Sequence, residues 1–360
     1  MKSIWNINLF RLFGIQLQLH LTFFILILFV VYQGGSKDGI SGGIWGLLII
    51  ILVFVCVVLH ELGHCLAAKR YGVHIHRILL LPIGGMAQFG SIPRQPQREL
   101  IIALAGPLVN FTIVGMLYFL SGSPERLLID ENYYNLSDTL SLLLVFNLIM
   151  GCFNLLPVFP MDGGRILRAL LALKFTYLKA TKLAIYIAKP LAIIGFIMGV
   201  FYLDNWIMAG VFAFIFLGGE IEYRMVRLRE SFIGFKVCDV VSRYFLSLDS
   251  GCCVRDAINL MSEYPSQDIL LIDEKGFRGI VRPDVVRKLA QKKRSNELLY
   301  NHCIHNPTIL QGDWILEEYS DIIYQASQNI FPVLDRDTLI GVIDRKNIQE
   351  TIAWIRLRVG

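Results

Sequence analysis

The sequence predicts a polytopic α-helical membrane protein with about six transmembrane helices, a buried β-hairpin and a C-terminal soluble α/β domain. Three observations carry this. Of 360 residues, 55% are hydrophobic and only 18% charged, where soluble domains have about 25% charged residues. Uncharged apolar runs recur through the first two thirds, the clearest over residues 44–58. From about Lys236 the pattern becomes short apolar runs between polar turns. A net charge of +5 with mean hydropathy +0.56 fits basic loops at a bilayer, and no nucleic-acid partner is expected.

Residues 1–18 read as an amphipathic lead-in carrying Arg11. The first span covers about residues 19–32. It has no small-x-small cleavage site, so it reads as a retained span rather than a signal peptide. A glycine-rich polar loop, residues 34–43, precedes span 2 at about 44–68, which ends in Lys69-Arg70. Residues 74–89 are β-rich around Pro82 and Gly84-Gly85, too short and broken to span. Non-helical backbone at membrane depth must be buried in protein or line a wet cavity. Span 3, about 99–120, carries Ala103, Ala105, Gly106 and Pro107, small residues that allow close packing, and then Asn110. An acidic loop at 121–138 follows, with Glu125, Asp130, Glu131 and Asp138 against Arg126. Span 4, about 140–156, holds Asn147 and Asn154, costly in lipid without partners. It breaks at Pro157 and Pro160. Arg165, Arg168, Lys174, Lys179 and Lys182 form a basic stretch. Spans 5 and 6 cover about 183–203 and 206–217, with Lys189-Pro190 interrupting the fifth. Seven cysteines occur without a C-x-x-C. Cys56, Cys65 and Cys152, in apolar segments, read as small core residues, and no disulfide framework or cysteine zinc site is expected.

Six spans put both termini on one side. The basic segments fall on that side and the acidic loop on the other. By the positive-inside rule both termini are cytoplasmic, in an integral, multi-pass protein of the cell membrane.

His60-Glu61-Leu62-Gly63-His64 is an H-E-x-x-H motif. On a helix, His60 and His64 project from one face, one turn apart, and can share one Zn²⁺. Glu61 stands beside them, placed to act as a base. A third ligand must come from elsewhere. The topology brings Asp162, at the cytoplasmic end of span 4, to the depth of the histidine pair. His20 reads either as an interfacial histidine or as a residue near the metal. His74 and His76 alternate on one strand face, as surface histidines or a second metal site.

The tail contains an internal repeat. Gln267 to Asp273, closing on Gly279-Ile280-Val281, matches Gln328 to Asp335, closing on Gly341-Val342-Ile343. Each copy reads helix, strand, turn, strand, helix. A period near 60 residues suggests two packed copies rather than a solenoid.

The H-E-x-x-H motif together with Asn154-Leu155-Leu156-Pro157 and Met161-Asp162-Gly163-Gly164-Arg165 resembles the site-2 protease family of intramembrane zinc metalloproteases. Gly84-Gly85-x-Ala87 and Ala105-Gly106-Pro107-x-x-Asn110 are similar to that family's hairpin and third-span motifs. The resemblance covers about residues 12–220. It implies one zinc per chain held by His60, His64 and Asp162, with Glu61 as catalytic base. This chain has Met161 where the family often has leucine, which leaves the ligand in place. Residues 236–354 resemble a cystathionine-β-synthase (CBS) domain pair, giving a protease domain over 1–230 and a CBS pair over 236–360, with copies at about 236–295 and 299–356. That resemblance implies an adenine nucleotide as ligand and a dimer through the pair. The ribose-binding Asp of such modules is displaced by one residue at Asp284 and is replaced by Asn347.

The expected activity is hydrolysis of a peptide bond in or near the transmembrane segment of a single-span membrane protein, within the lipid bilayer. Asn154 serves either as an oxyanion donor or as a helix-packing hydrogen bond. The Gly84-Gly85 hairpin offers backbone groups that can hold an unwound substrate as an added strand. The short tether over residues 224–235 holds the tail under the cytoplasmic face, where it can regulate access. Two rivals differ in class. An inactive, substrate-binding relative is disfavoured by the intact His60, Glu61, His64 and Asp162. A CBS-regulated transporter would show repeated halves, and the membrane part shows none.

Overall fold

Alternation decides the N-terminus. Ile15, Leu17 and Leu19 are buried while Gln16, Gln18 and His20 are only half-buried, the period of two of a strand with one face packed. The lead-in expected over residues 1–18 is therefore β1 (Asn6–Leu12) and β2 (Ile15–His20), paired antiparallel. The first helix begins at Phe23 rather than near residue 19. The computed structural model describes residues 5–89, 94–121, 136–274, 276–326, 328–336 and 338–359. These form two compact units, Met1–Val226 and Arg227–Gly360.

In the first unit, β2 pairs in parallel with β3 (Ile75–Leu81), which pairs antiparallel with β4 (Gly84–Phe89). The expected hairpin is thus one half of a four-stranded sheet ordered β1-β2-β3-β4. It is buried only in part: Ile78, Leu79 and Leu80 of β3 are inside, while β4, an edge strand, is half-exposed. The inner face of the sheet packs Ile15, Leu17, Leu19, Ile78 and Leu80 against Phe23, Phe54, Val57, Leu62 and Cys65 of α1 (Phe23–Arg70).

Expected spans 1 and 2 both lie in α1, which bends where Asp38 and Gly39 leave helical geometry. Gly39 has φ +64° and ψ −149°, a conformation that side chains resist. The limbs run back against each other. A Cβ on Gly34 would lie 2.3 Å from the Gly42 carbonyl oxygen. The glycine-rich stretch is therefore mostly helix, not loop, because its glycines let two backbones touch.

Among the described residues, four helices are long and apolar enough to cross a membrane: α1, α2 (Pro96–Ser121), α5 (Tyr177–Ile197, extended by a π turn at Met198–Tyr202) and α6 (Trp206–Ser231). Expected span 4 is α3 (Leu136–Asn154), a shorter apolar helix. The basic stretch gives α4 (Asp162–Ala172) and the start of α5. Pro190 does not interrupt α5; it only leaves the Tyr186 carbonyl without its usual donor. Glu125, Arg126, Asp130 and Glu131 of the acidic loop lie outside the described residues. Cys56 and Cys65 are buried, but Cys152 is exposed, because it shares the outer face of α3 with Leu148.

The second unit repeats one supersecondary pattern. β5 (Leu246–Asp249) pairs in parallel with β6 (Ile269–Asp273), and β6 antiparallel with β7 (Gly276–Val281). β8 (Leu310–Gln311), β9 (Ile330–Asp335) and β10 (Thr338–Asp344) repeat that order. Helices α7 (Val254–Glu263) and α8 (Pro283–Gln291) flank the first copy. Helices α9 (Ser320–Gln325) and α10 (Ile348–Val359) flank the second. Leu270, Ile330 and Val342 form a small apolar cluster joining the copies. The short leading strands β5 and β8 are additions to the helix-strand-turn-strand-helix reading.

Candidate metal centre

The spacing of four on α1 puts His60 and His64 one above the other, with ring centroids 4.8 Å apart. Each Nδ1 is taken by a partner outside α1. His64 Nδ1 donates to the Ile102 carbonyl at 2.7 Å, and a carbonyl can only accept. His64 thus carries its proton on Nδ1 and presents a bare Nε2. His60 Nδ1 donates to Asn110 Oδ1. Asn110 Nδ2 donates to Asn147 Oδ1 at 2.9 Å, and Asn147 Nδ2 to the Leu143 carbonyl at 2.7 Å. This relay fixes the tautomer of His60, whose Nε2 is also bare.

The two Nε2 atoms lie 3.1 Å apart. Asp162 Oδ2 lies 3.1 Å from His64 Nε2 and 3.3 Å from His60 Nε2. Asp162 is the first residue of α4, so its carboxylate sits at a helix N-terminus. Three buried acceptor atoms thus converge with no proton between them, which is unfavourable until a cation sits there. Tetrahedral zinc with bonds of about 2.0–2.1 Å separates its ligands by about 3.3 Å, close to the spacings found. Two imidazole nitrogens and one carboxylate oxygen suit Zn²⁺. Among the described residues this is the one group of three such side chains whose donor atoms lie within 4.8 Å of one another.

α2 supplies the wall. Ile102, Gly106 and Asn110 recur at intervals of four and face the histidines. A Cβ on Gly106 would lie 2.2 Å from His64 Nε2 and 2.7 Å from His60 Nε2, so only glycine leaves these nitrogens free. Val57 and Glu61, also four apart, face β4. A Cβ on Gly85 would meet Glu61 Cγ at 2.7 Å. Glu61 Oε2 accepts the Ala87 backbone N–H at 2.9 Å. The candidate base therefore sits against the sheet edge rather than among the three converging atoms.

Other expected residues fall elsewhere. Asn154 Nδ2 donates to the Met150 carbonyl at 3.0 Å, within its own helix. His20 Nδ1 pairs with Thr22 Oγ1 at 2.8 Å. His74 and His76 are exposed and pack edge to face, with ring centroids 5.0 Å apart. A buried ion cluster was not expected. Arg168 on α4 donates through Nε to Glu99 Oε1 on α2 at 2.8 Å and through Nη1 to Glu222 Oε1 on α6 at 2.5 Å. Tyr177 Oη donates to Glu99 Oε1 at 3.3 Å. This cluster ties the helix that carries Asp162 to two others. Glu99 and Arg168 stand at the ends of apolar segments, and such charges signal a pair only once their burial is known. The signal that could have found Asn110 is the cost of a polar side chain in an apolar run.

Comparison with known proteins gives four findings. Peptidase family M50 matches residues 48–125 and 129–195. Zinc metalloprotease MJ0392 of Methanocaldococcus jannaschii is 44% identical over 354 residues, covering 98% of each chain. The solved site-2 protease from M. jannaschii covers 61% of this chain and 95% of its own at 44% identity, with a TM-score of 0.45. A CBS-pair protein from Arabidopsis thaliana, CBSX2, covers 35% of this chain and 99% of its own at 20% identity and a TM-score of 0.31.

Proposed function

Since this chain belongs to peptidase family M50, the site-2 protease family of zinc metalloproteases, we propose that it cleaves a single-span membrane protein in or near its transmembrane segment. The observation that carries this is the convergence of His60 Nε2, His64 Nε2 and Asp162 Oδ2 beside apolar helices long enough to span. These three residues hold the zinc. Bound there, zinc supplies Lewis acidity toward a scissile carbonyl and acidifies water.

The chain's own residues do the rest. Asn110 and the Ile102 carbonyl hold the imidazoles with Nε2 toward the metal. Glu61 takes a proton and returns it to the leaving amine nitrogen. The outer edge of β4 pairs with an unwound substrate strand. Asn154 donates to the developing oxyanion only after releasing the Met150 carbonyl, so its part in catalysis is the smaller one. Six spans, counting α1 as two limbs and α3 as a short span, put both termini in the cytoplasm. Residues 236–360 are a CBS pair that regulates access to the site.

Three experiments test the reading. Detergent-purified protein should hold about one zinc per chain, and His64→Ala or Asp162→Ala should lose it; full zinc in both variants refutes the ligand set. Termini of a cleaved single-span substrate, mapped by mass spectrometry, should fall near its cytoplasmic end. A chain ending at Ser231 that cuts at the full-length rate refutes regulation by the tail.

A further inference from the structure

One face of α2 holds the histidine pair in place. Glu99, Ile102, Gly106 and Asn110 follow one another at spacings of three, four and four, which puts them in one stripe. The Ile102 carbonyl accepts from His64 Nδ1 and Asn110 Oδ1 from His60 Nδ1, while Gly106 leaves room for both Nε2 atoms. Glu99, at the start of the stripe, serves α4 instead. Its Oε1 accepts from Arg168 Nε at 2.8 Å and also from Arg168 Nη2. Glu99 and Arg168 are both buried.

The two helices pack side by side like a pair of rails. At about 1.5 Å per residue, Arg168 lies about 9 Å along α4 from Asp162, and Glu99 about 10 Å along α2 from Gly106. Pinned at Arg168 and Glu99, such rails bring Asp162 level with Gly106, where the bare Nε2 atoms are. The glycines beside Asp162 serve another contact. A Cβ on Gly163 would lie 2.1 Å from the Leu156 carbonyl oxygen, and one on Gly164 2.7 Å from the Val158 carbonyl carbon. They pack the first turn of α4 on the segment that leads into it. The Arg168 guanidinium is itself held in place. It lies over the Phe159 ring at 5.1 Å and the Tyr177 ring at 4.9 Å, and Nη1 donates to Glu222 on α6 at 2.5 Å.

Stability alone does not account for such a pair, because replacing a buried ion pair with uncharged groups of similar volume is often neutral or stabilising. What a guanidinium fork on a carboxylate adds is a fixed distance and angle between the two helices that carry them. We propose that Arg168 and Glu99 are positioning residues of the metal centre: by pinning α4 to the α2 face that orients both histidines, they set where Asp162 Oδ2 lies relative to the two Nε2 atoms. This role rests on the ligand set proposed above.

The test is chelator competition for zinc on the full-length protein in detergent, with the visible spectrum of the cobalt(II)-loaded protein as a readout of ligand geometry. The central variant combines Arg168→Met with Glu99→Gln, which removes both charges at nearly constant volume and so regains stability that Arg168→Met alone loses. Its zinc affinity should still fall about tenfold or more, and its cobalt spectrum should shift. Arg168→Lys, which keeps the charge pair, should hold zinc more tightly than the double variant. Leu17→Ala opens a cavity in the core that packs the sheet on α1, so it should lower the thermal midpoint and leave zinc affinity unchanged. Wild-type affinity and spectrum in the double variant overturn the proposal. So does an equal loss of affinity in Arg168→Lys, or in Leu17→Ala, where affinity would merely follow stability. His64→Ala checks the ligand set separately. If it keeps its zinc, the ligands are wrong and the positioning role falls with them; if it loses zinc and the double variant does not, the positioning role falls alone.

Discussion

Replacing Asn110 with alanine tests the whole logic of the metal centre. The side chain has two jobs, accepting from His60 Nδ1 and donating to Asn147 Oδ1. Both partners are buried, so Asn110→Ala leaves one donor and one acceptor unpaired. At about 1–3 kcal/mol per orphaned group, the fold should lose about 2–6 kcal/mol. His60 also loses the bond that fixes its tautomer, and zinc affinity should fall about 10–100-fold. Asn110→Asp separates the two effects. It keeps an acceptor for His60 and loses the donor to Asn147, so it should destabilise the fold while holding zinc far better than the alanine variant. Chelator competition on detergent-purified protein gives affinity, and thermal unfolding of the same samples gives stability. Unchanged zinc affinity in Asn110→Ala would falsify the tautomer argument. Equal loss in both variants would mean that packing, not the acceptor, is what matters.

Four further outcomes are expected. Glu61→Gln should keep zinc and lower cleavage about 10²–10⁴-fold; near-normal cleavage would remove Glu61 from the chemistry. Gly106→Ala should abolish zinc binding, since its methyl would fall within 2.2 Å of His64 Nε2, and a metal-loaded alanine variant would contradict the wall that α2 provides. Arg168→Met should cost about 3–5 kcal/mol by stranding Glu99, itself 2% exposed; adding Glu99→Gln should restore part of the thermal midpoint, and no restoration would mean that the charge is not the cause. Burial raises the pKa of Asp268 above its usual 3.8, so the folded state binds a proton more tightly than the unfolded one. The second unit should therefore gain stability relative to Asp268→Asn as pH falls from neutrality through the raised value, and lose it as pH rises again. Parallel pH profiles for the two proteins would count against a charged, buried Asp268.

What could be read in the sequence followed the strength of each local signal. His60 and His64 were legible as a pair because a spacing of four fixes a helix face, and Asp162 because topology and motif agreed on its depth. The strands β1 and β2 were missed although Ile15, Leu17 and Leu19 alternate cleanly. The apolar run that begins beside them suggested an early helix start, and nothing local shows that β2 finds a parallel partner in β3 some sixty residues on. The bend at Gly39 was mistaken for a loop because glycine marks both a turn and a close helix contact. Asn147 and Asn154 stood out as polar groups in an apolar run, but a single sequence cannot say which polar group meets which. The ion cluster of Arg168 needed three helices at once, and charges near helix ends are too common to predict one.

His64 and Asp162 are 98 residues apart in the chain. At about 5–20 residues per second, a ribosome makes the histidine pair and Glu61 roughly 5–20 s before it makes the aspartate. Throughout that interval the emerging chain carries the proposed base and two of the three proposed ligands, without the residue that completes them. The proposed centre of a nascent protease beside newly inserted helices of other proteins is thereby incomplete by order of synthesis alone. The last proposed ligand to be made acts as the arming pin.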